Sequence, residues 1–272
     1  MAPNYWDPLA FAHEQPSEQC TARAKRDLAE FNAQPPPGIF VAAEENDITK
    51  VHAIIVGPVG TPYEGGFFQF LLKFPFDYPM SPPRLRHVTT DAGRVLFNQH
   101  FYRSGEVCLS ILGTTTGPAW SPAQTLSSVL VSVQSMMVEK PYFEGFKVED
   151  PPGASARYNE FIRHETMRVT VCDQVEASLK ETIECPPSLR SRILKSFLES
   201  YGNYEDAITA KLHLTGRQMK DPYTKNVSTY QYETLLTRLK SLKEEVEKKN
   251  EEAKKAAAEA AAQEENQVEV AK

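Results

Sequence analysis

No apolar run in this 272-residue chain is long enough to cross a bilayer. The longest, FFQFLL and VLVSVQSMM, fall far short of the roughly 20 residues a spanning helix needs. Residues 1–16, MAPNYWDPLAFAHEQP, have neither the basic start nor the apolar core of a secretory signal. A reducing location in the cytoplasm or nucleus is therefore expected, with no membrane among the partners. Paired cysteines are lacking as well. Cys20, Cys108, Cys172 and Cys185 are scattered, with no C-x-x-C pair and no Cys/His spacing suited to zinc. No metal or other cofactor is expected, and in a reducing compartment a disulfide reading is weak. An excess of basic charge is missing too. The formal net charge is −6, which argues against a nucleic-acid surface. Internal repeats are absent.

What is present is the profile of a globular protein, 41% hydrophobic and 24% charged, long enough for one large domain or a typical domain with an extension. Residues 17–33 predict a first helix. Ser17 stands at the cap, Ala24, Leu28 and Phe31 recur at helical spacing, and PPPG (35–38) stops the chain. Arg23 and Arg26, three apart, are expected on one exposed face. Four strand-like runs follow: GIFVAA, KVHAIIVG, FFQFLLKF and RLRHV. Their links are short and rich in Pro, Gly, Asp and Asn, so the strands form an antiparallel meander, with a helix expected over one side. A central, mostly buried helix is predicted over 122–138 with Pro122 near its first turn. Another is predicted over about 154–180. From Cys185-Pro186-Pro187 onward the pattern is wholly helical. There Tyr232, Leu235, Leu239, Leu242 and Val246 form a stripe that needs a partner surface. Beyond Lys249 the Ala/Glu/Lys tail has no apolar face, and is a solvated helix or disordered. The organisation expected is an N-terminal segment (1–17), a core (18–180), a helical extension (181–249) and the tail (250–272).

The chemistry concentrates in FNQHFYRSGEVCLSIL, residues 97–112. A thiol reacts as thiolate, and at neutral pH only a few per cent of an ordinary cysteine is ionised. A protease-like cysteine needs an activating histidine and an orienting third group. A cysteine that only accepts and hands on an already activated acyl group needs less: a shallow groove, and hydrogen-bond donors where oxyanion charge develops. With only Arg103 and Glu106 nearby, Cys108 suits a carrier better than a hydrolase.

At this point the chain resembles the ubiquitin-conjugating (E2) enzymes. The resemblance covers about residues 18–180 and rests on four stretches in order: GPVGTPYEGGFF (57–68), FPFDYPMSPPR (74–84), GEVCLSIL (105–112) and PAWSPAQ (118–124). YNEFIRHETMRV, KSFLESY and LHLTGRQMKDP extend it to the large class that carries a C-terminal helical extension. The resemblance implies an α+β fold: an N-terminal helix, a four-stranded antiparallel meander and a central helix behind the cysteine. It implies that Cys108 takes ubiquitin, or a ubiquitin-like modifier, as a thioester from an E1 activating enzyme. The modifier then passes to a lysine of a protein substrate, usually with an E3 ligase. The extended class is associated with a non-standard activating enzyme that also handles a second modifier.

Site roles carry over by position. The family has His-Pro-Asn upstream of its cysteine, its Asn supporting a loop and the oxyanion. Here Asn98-Gln99-His100 stands there. Asn98 agrees with the extended class and is expected to support the loop. Gln99 and His100 depart from the pattern. His100, eight residues before Cys108, holds the oxyanion position, and its ring nitrogens can donate a hydrogen bond. An incoming lysine, with an ordinary pKa of about 10.4, needs help toward neutrality. Of the acids after the central helix, Glu139 and Glu144, alignment favours Glu144. The family's acid two residues past the cysteine is Ser110 here, in keeping with the extended class. Ligase contacts fall on Met80 and on Ser121, Pro122 and Ala123, and activating-enzyme contacts on Arg23 and Arg26. The longer GTTTGPAW stretch enlarges a lip beside the site. Two other readings stand beside this one. The altered triplet allows a catalytically weakened binding module. A Cys–His hydrolase is the other, and it lacks a recognisable third group.

Overall fold

The structure is a computed structural model that describes residues 4–143, 152–221, 223–224 and 226–270, excepting the side chains of Phe143 and of residues 257–270. Helix α1, Glu18–Ala33, starts where the Ser17 hydroxyl accepts the amide hydrogen of Cys20. Strands β1 (Ile39–Glu44), β2 (Asp47–Val56), β3 (Phe67–Lys73) and β4 (Arg84–His87) form the expected antiparallel meander in the order β1-β2-β3-β4.

The two-residue period of β2 and β3 sorts their side chains between two cores. Val51, Ala53 and Ile55, with Phe68, Phe70 and Leu72, pack on one face with α1 and the central helix α2, Leu126–Ser135. Ile54 and Phe67 face the other way, into a cluster with Val175, Ile193 and Phe197. Both faces are thus covered, where a helix over one side was expected. Every residue of β3 is buried. That is why FFQFLLK reads as a continuous apolar run and not as an alternation. Its one neutral polar residue, Gln69, is satisfied by donating to the carbonyl of Glu184 at 2.8 Å.

Helix α2 begins four residues later than the sequence pattern suggested. Thr125 and Ser128 form a reciprocal capping box that fixes its start, and Pro122 lies in the turn before it. The expected helix over 154–180 is a rod in three parts: α3 (Ala154–Glu165), a π-helical stretch (Thr166–Asp173) and α4 (Gln174–Leu179). The widened stretch runs against Gly66, where an added Cβ would lie 2.2 Å from Thr170 Oγ1.

Helices α5 (Pro187–Thr209) and α6 (Tyr232–Val270) complete the second core. Tyr232, Leu235, Leu239, Leu242 and Val246 are buried, so the stripe finds its partner surface on α4 and α5. The extension is not wholly helical, however. Between α5 and α6 lies a hairpin of β5 (Gln218–Lys220) and β6 (Val227–Thr229), three residues a strand, too short for an alternating pattern to register. Helix α6 runs on past Lys249, with residues 251–256 exposed. Among the described residues no helix is long and apolar enough to cross a membrane.

The N-terminal segment straps β4. Asp7 pairs with Arg86 and Glu14 with Arg84, each at 2.5 Å, and the Phe11 ring lies 3.7 Å from the Arg84 guanidinium.

Candidate active site

Residues 97–114 fold back on β4 by isolated bridges. Phe101 pairs with Val107, Arg86 with Glu106, and the amide of His87 donates to the Gly105 carbonyl at 2.8 Å. This tight return brings residue 100 beside residue 108: the Cys108 amide donates to the His100 carbonyl at 2.8 Å. Val107, Ile111 and Leu112 anchor the segment in the core, which leaves Cys108 half-buried between them. Thr114 pins the chain after the cysteine. Its hydroxyl accepts from the Leu109 amide (2.8 Å) and donates to the Val107 carbonyl (2.6 Å).

Cys20, Cys172 and Cys185 are buried, and burial pushes their thiols up to about 11, 12 and 11. Cys108 is the one cysteine open to a reactant. The Tyr102 side chain, missed from the sequence, neighbours Cys108, and burial, with the thiol beside it, raises its phenol above the ordinary value. Burial likewise raises the Glu106 carboxyl.

The triplet divides its work. Asn98 is fully buried. Its amide donates to the Tyr63 hydroxyl (3.0 Å) and the Met136 carbonyl (2.8 Å), and its Oδ1 accepts from the His100 amide (2.9 Å). Gln99 is also buried, donating to the Tyr142 carbonyl at 2.9 Å and hydrogen-bonded to the Tyr223 hydroxyl. His100 is half-buried. The pairing of Gln99 with Tyr223 was beyond sequence reasoning, because 124 positions separate them.

On α1, Arg23 corrects an expectation. It is turned inward, its side chain 10% exposed against 59% for Arg26. Its guanidinium pairs with Asp27 (2.6 Å) and donates to the carbonyls of Pro122 (2.9 Å) and Gln124 (2.6 Å). A spacing of three fixes only relative direction, and on this helix the Arg23–Asp27 face meets the loop before α2. Asp27 is itself buried and accepts from the Tyr78 hydroxyl and the Leu126 amide as well. Arg26 lies on the surface beside Glu30, at 3.6 Å. Met80 is 64% exposed, and Ser121, Pro122 and Ala123 are exposed on the loop that Arg23 ties down. Trp120 Nε1 donates to the Pro79 carbonyl at 2.8 Å, joining the two loops. The lip after Cys108 is exposed over 115–119 and braced by the Tyr5 hydroxyl, which donates to the Gly113 carbonyl at 2.9 Å. Glu144 lies outside the described residues.

The family model described as "Ubiquitin-conjugating enzyme" matches residues 23–151. Ubiquitin-conjugating enzyme E2 Z of Danio rerio is 51% identical over 249 residues, covering 90% of this chain and 75% of that protein. The protein of the same name from Xenopus tropicalis is 50% identical over 90% of this chain and 79% of its own. For that from Homo sapiens the figures are 50%, 89% and 69%. The family model spans the meander and the cysteine segment, and half of the positions are shared over nine-tenths of the chain, and so the chain belongs to the ubiquitin-conjugating enzyme family, the E2 ubiquitin transferases.

Proposed function

We propose that Cys108 is the acceptor of ubiquitin or a ubiquitin-like modifier. Its thiolate attacks the modifier's C-terminal carbonyl, held as a thioester on an E1 activating enzyme, and the E1 thiol leaves. A substrate lysine amine then attacks the new thioester. The Cys108 thiolate departs, the amine loses a proton, and an amide forms. The observation that carries this reading is accessibility: of four cysteines, only Cys108 is not buried.

In this proposal Asn98 supports the loop through its three hydrogen bonds, and His100 sits where oxyanion charge develops. Glu144 is the acid that orients the lysine. Met80 and Ser121–Ala123 meet E3 ligases, and Arg26 meets the activating enzyme. Arg23 acts by holding the Ser121–Ala123 loop. The catalytic core spans 18–180 and the extension 181–249.

The test combines the protein with ubiquitin, ATP and candidate activating enzymes. Wild type forms an adduct lost on adding reductant, and Cys108→Ser forms an oxyester that resists it. No adduct with any activating enzyme overturns the reading in favour of a binding module. His100→Ala is expected to load normally and to discharge more slowly to lysine. Unchanged discharge removes His100 from the mechanism.

A further inference from the structure

The helical extension reaches the cysteine loop through Tyr223, beside its hairpin. Its hairpin turn is built on Asp221, whose carboxylate accepts from the Tyr223 amide (2.9 Å) and the Thr224 hydroxyl (2.5 Å). The turn presents the Tyr223 ring to Tyr142 and Tyr158, with centroids 5.1 Å away in both cases. At the ring's tip three groups close a triangle in which every donor has an acceptor. One Gln99 amide hydrogen goes to the Tyr142 carbonyl at 2.9 Å, and the other reaches the Tyr223 oxygen. The Tyr223 hydroxyl hydrogen goes to the same Tyr142 carbonyl at 2.5 Å. A buried carboxamide left without partners is costly, so each member fixes the other two. Burial raises the Tyr223 phenol well above its ordinary value, which keeps the hydroxyl a donor at neutral pH.

Gln99 stands in the chain between two residues of the cysteine loop, and the Asn98 side chain accepts from the His100 amide at 2.9 Å. Asn98 precedes it, and His100 follows it with its carbonyl on the Cys108 amide at 2.8 Å. We propose that Tyr223 is a positioning residue for the transfer step: through Gln99 it holds His100 in register with Cys108, so the extension's hairpin takes part in discharge of the thioester. This rests on Cys108 being the acceptor. The extension is then more than a cover for the sheet. The hairpin closes the active-site loop from outside the catalytic core, and the bond that does so exists because residue 99 carries an amide.

The test is single-turnover discharge of purified, full-length thioester to free lysine, for wild type, Tyr223→Phe, Gln99→Leu and the double variant. Loading from the activating enzyme and the thermal midpoint are measured in parallel. Tyr223→Phe removes two hydrogen bonds, the one accepted from Gln99 and the one donated to the Tyr142 carbonyl, and leaves the ring. The maximal discharge rate should fall by about five- to tenfold. The apparent KM for lysine and the loading rate should hold within about twofold of wild type, since the positioning is proposed for the transition state of lysine attack and not for lysine binding or thiol exchange. Gln99→Leu should slow discharge similarly, and the double variant should be no slower than the slower single one, because both lose the same contact.

Three results overturn the proposal. They are wild-type discharge by Tyr223→Phe, equal losses in loading and discharge that track the thermal midpoint, and single effects that multiply in the double variant. Failure of wild type to form any reductant-labile adduct is a separate outcome. It defeats the reading of Cys108, and the positioning role falls with it.

Discussion

Replacing Arg23 by alanine should destabilise the fold, although spacing alone puts this residue on an exposed face. Three hydrogen bonds disappear, those to Asp27, Pro122 and Gln124. The first joins two charges, one of them buried, and a bond to a charged group is worth about 1.5–3 kcal/mol. Those to the two carbonyls add about 1 kcal/mol each at most, and water can replace the one on exposed Pro122. Asp27 keeps two donors, Tyr78 and Leu126, so the loss stays below the upper end of the ~3–5 kcal/mol seen when a buried charge loses its only partner. The sum is about 3 kcal/mol, or about 6–12 °C in Tm for a chain of this size. Urea titration under reductant, followed by far-UV circular dichroism, should show a lower midpoint with an unchanged slope. Arg26→Ala, on the same helix but at the surface, should stay within about 0.5 kcal/mol of wild type. If Arg23→Ala costs less than about 1 kcal/mol, or if the two variants behave alike, the inward network is not what holds the loop.

Two further perturbations address the cores. Gly66→Ala should cost about 1–3 kcal/mol by overpacking the π-helical stretch, because the new methyl would stand 2.2 Å from Thr170 Oγ1; an unaltered urea midpoint would contradict that contact. His87 is fully buried among Phe68, Phe70, Phe97 and Phe101, and burial lowers it from 6.5 to about 3. Between those values the unfolded chain binds a proton that the folded chain refuses, so its contribution to stability is whole above about pH 6.5 and falls with pH below it. The slope is about 1.4 kcal/mol per pH unit, and His87→Phe should remove about 2 kcal/mol of the difference in unfolding free energy between roughly pH 6.5 and 4.5. Parallel pH profiles for variant and wild type would show that the ring is protonated in the fold.

Features set by neighbouring residues were legible in the sequence. Ser17 after Pro16, the four apolar runs with their Pro- and Gly-rich links, and the Tyr232–Val246 stripe each announced an element the structure contains. Features set by distant residues were not. A helical period does not distinguish α from π winding, so the stretch opposite Gly66 read as ordinary helix. Pro122 looked like a helix start because prolines favour a first turn, yet the Thr125–Ser128 capping box decides. In the site, the nearness of residue 100 to Cys108 follows from a local return of the chain. What Gln99 does there depends on Tyr223 in the hairpin, and no local pattern carries that information.

Covering both faces of the meander also leaves it with no face to lend. A protein that docks here cannot lie across β2 and β3, whose inner side packs with α1 and α2 and whose outer side packs into the cluster that the π-helical stretch and helices α4 to α6 complete. Association is thereby confined to helix exteriors, loops and the margins of the sheet. On that remaining surface the exposed apolar groups Phe76 and Met80 stand on the loop tied to Trp120. Cutting the chain after residue 180 would undo the arrangement. It would strip α5 and α6 from the cluster around Ile54 and Phe67 and open apolar surface in a layer now closed, a patch of the kind that invites unselective contact.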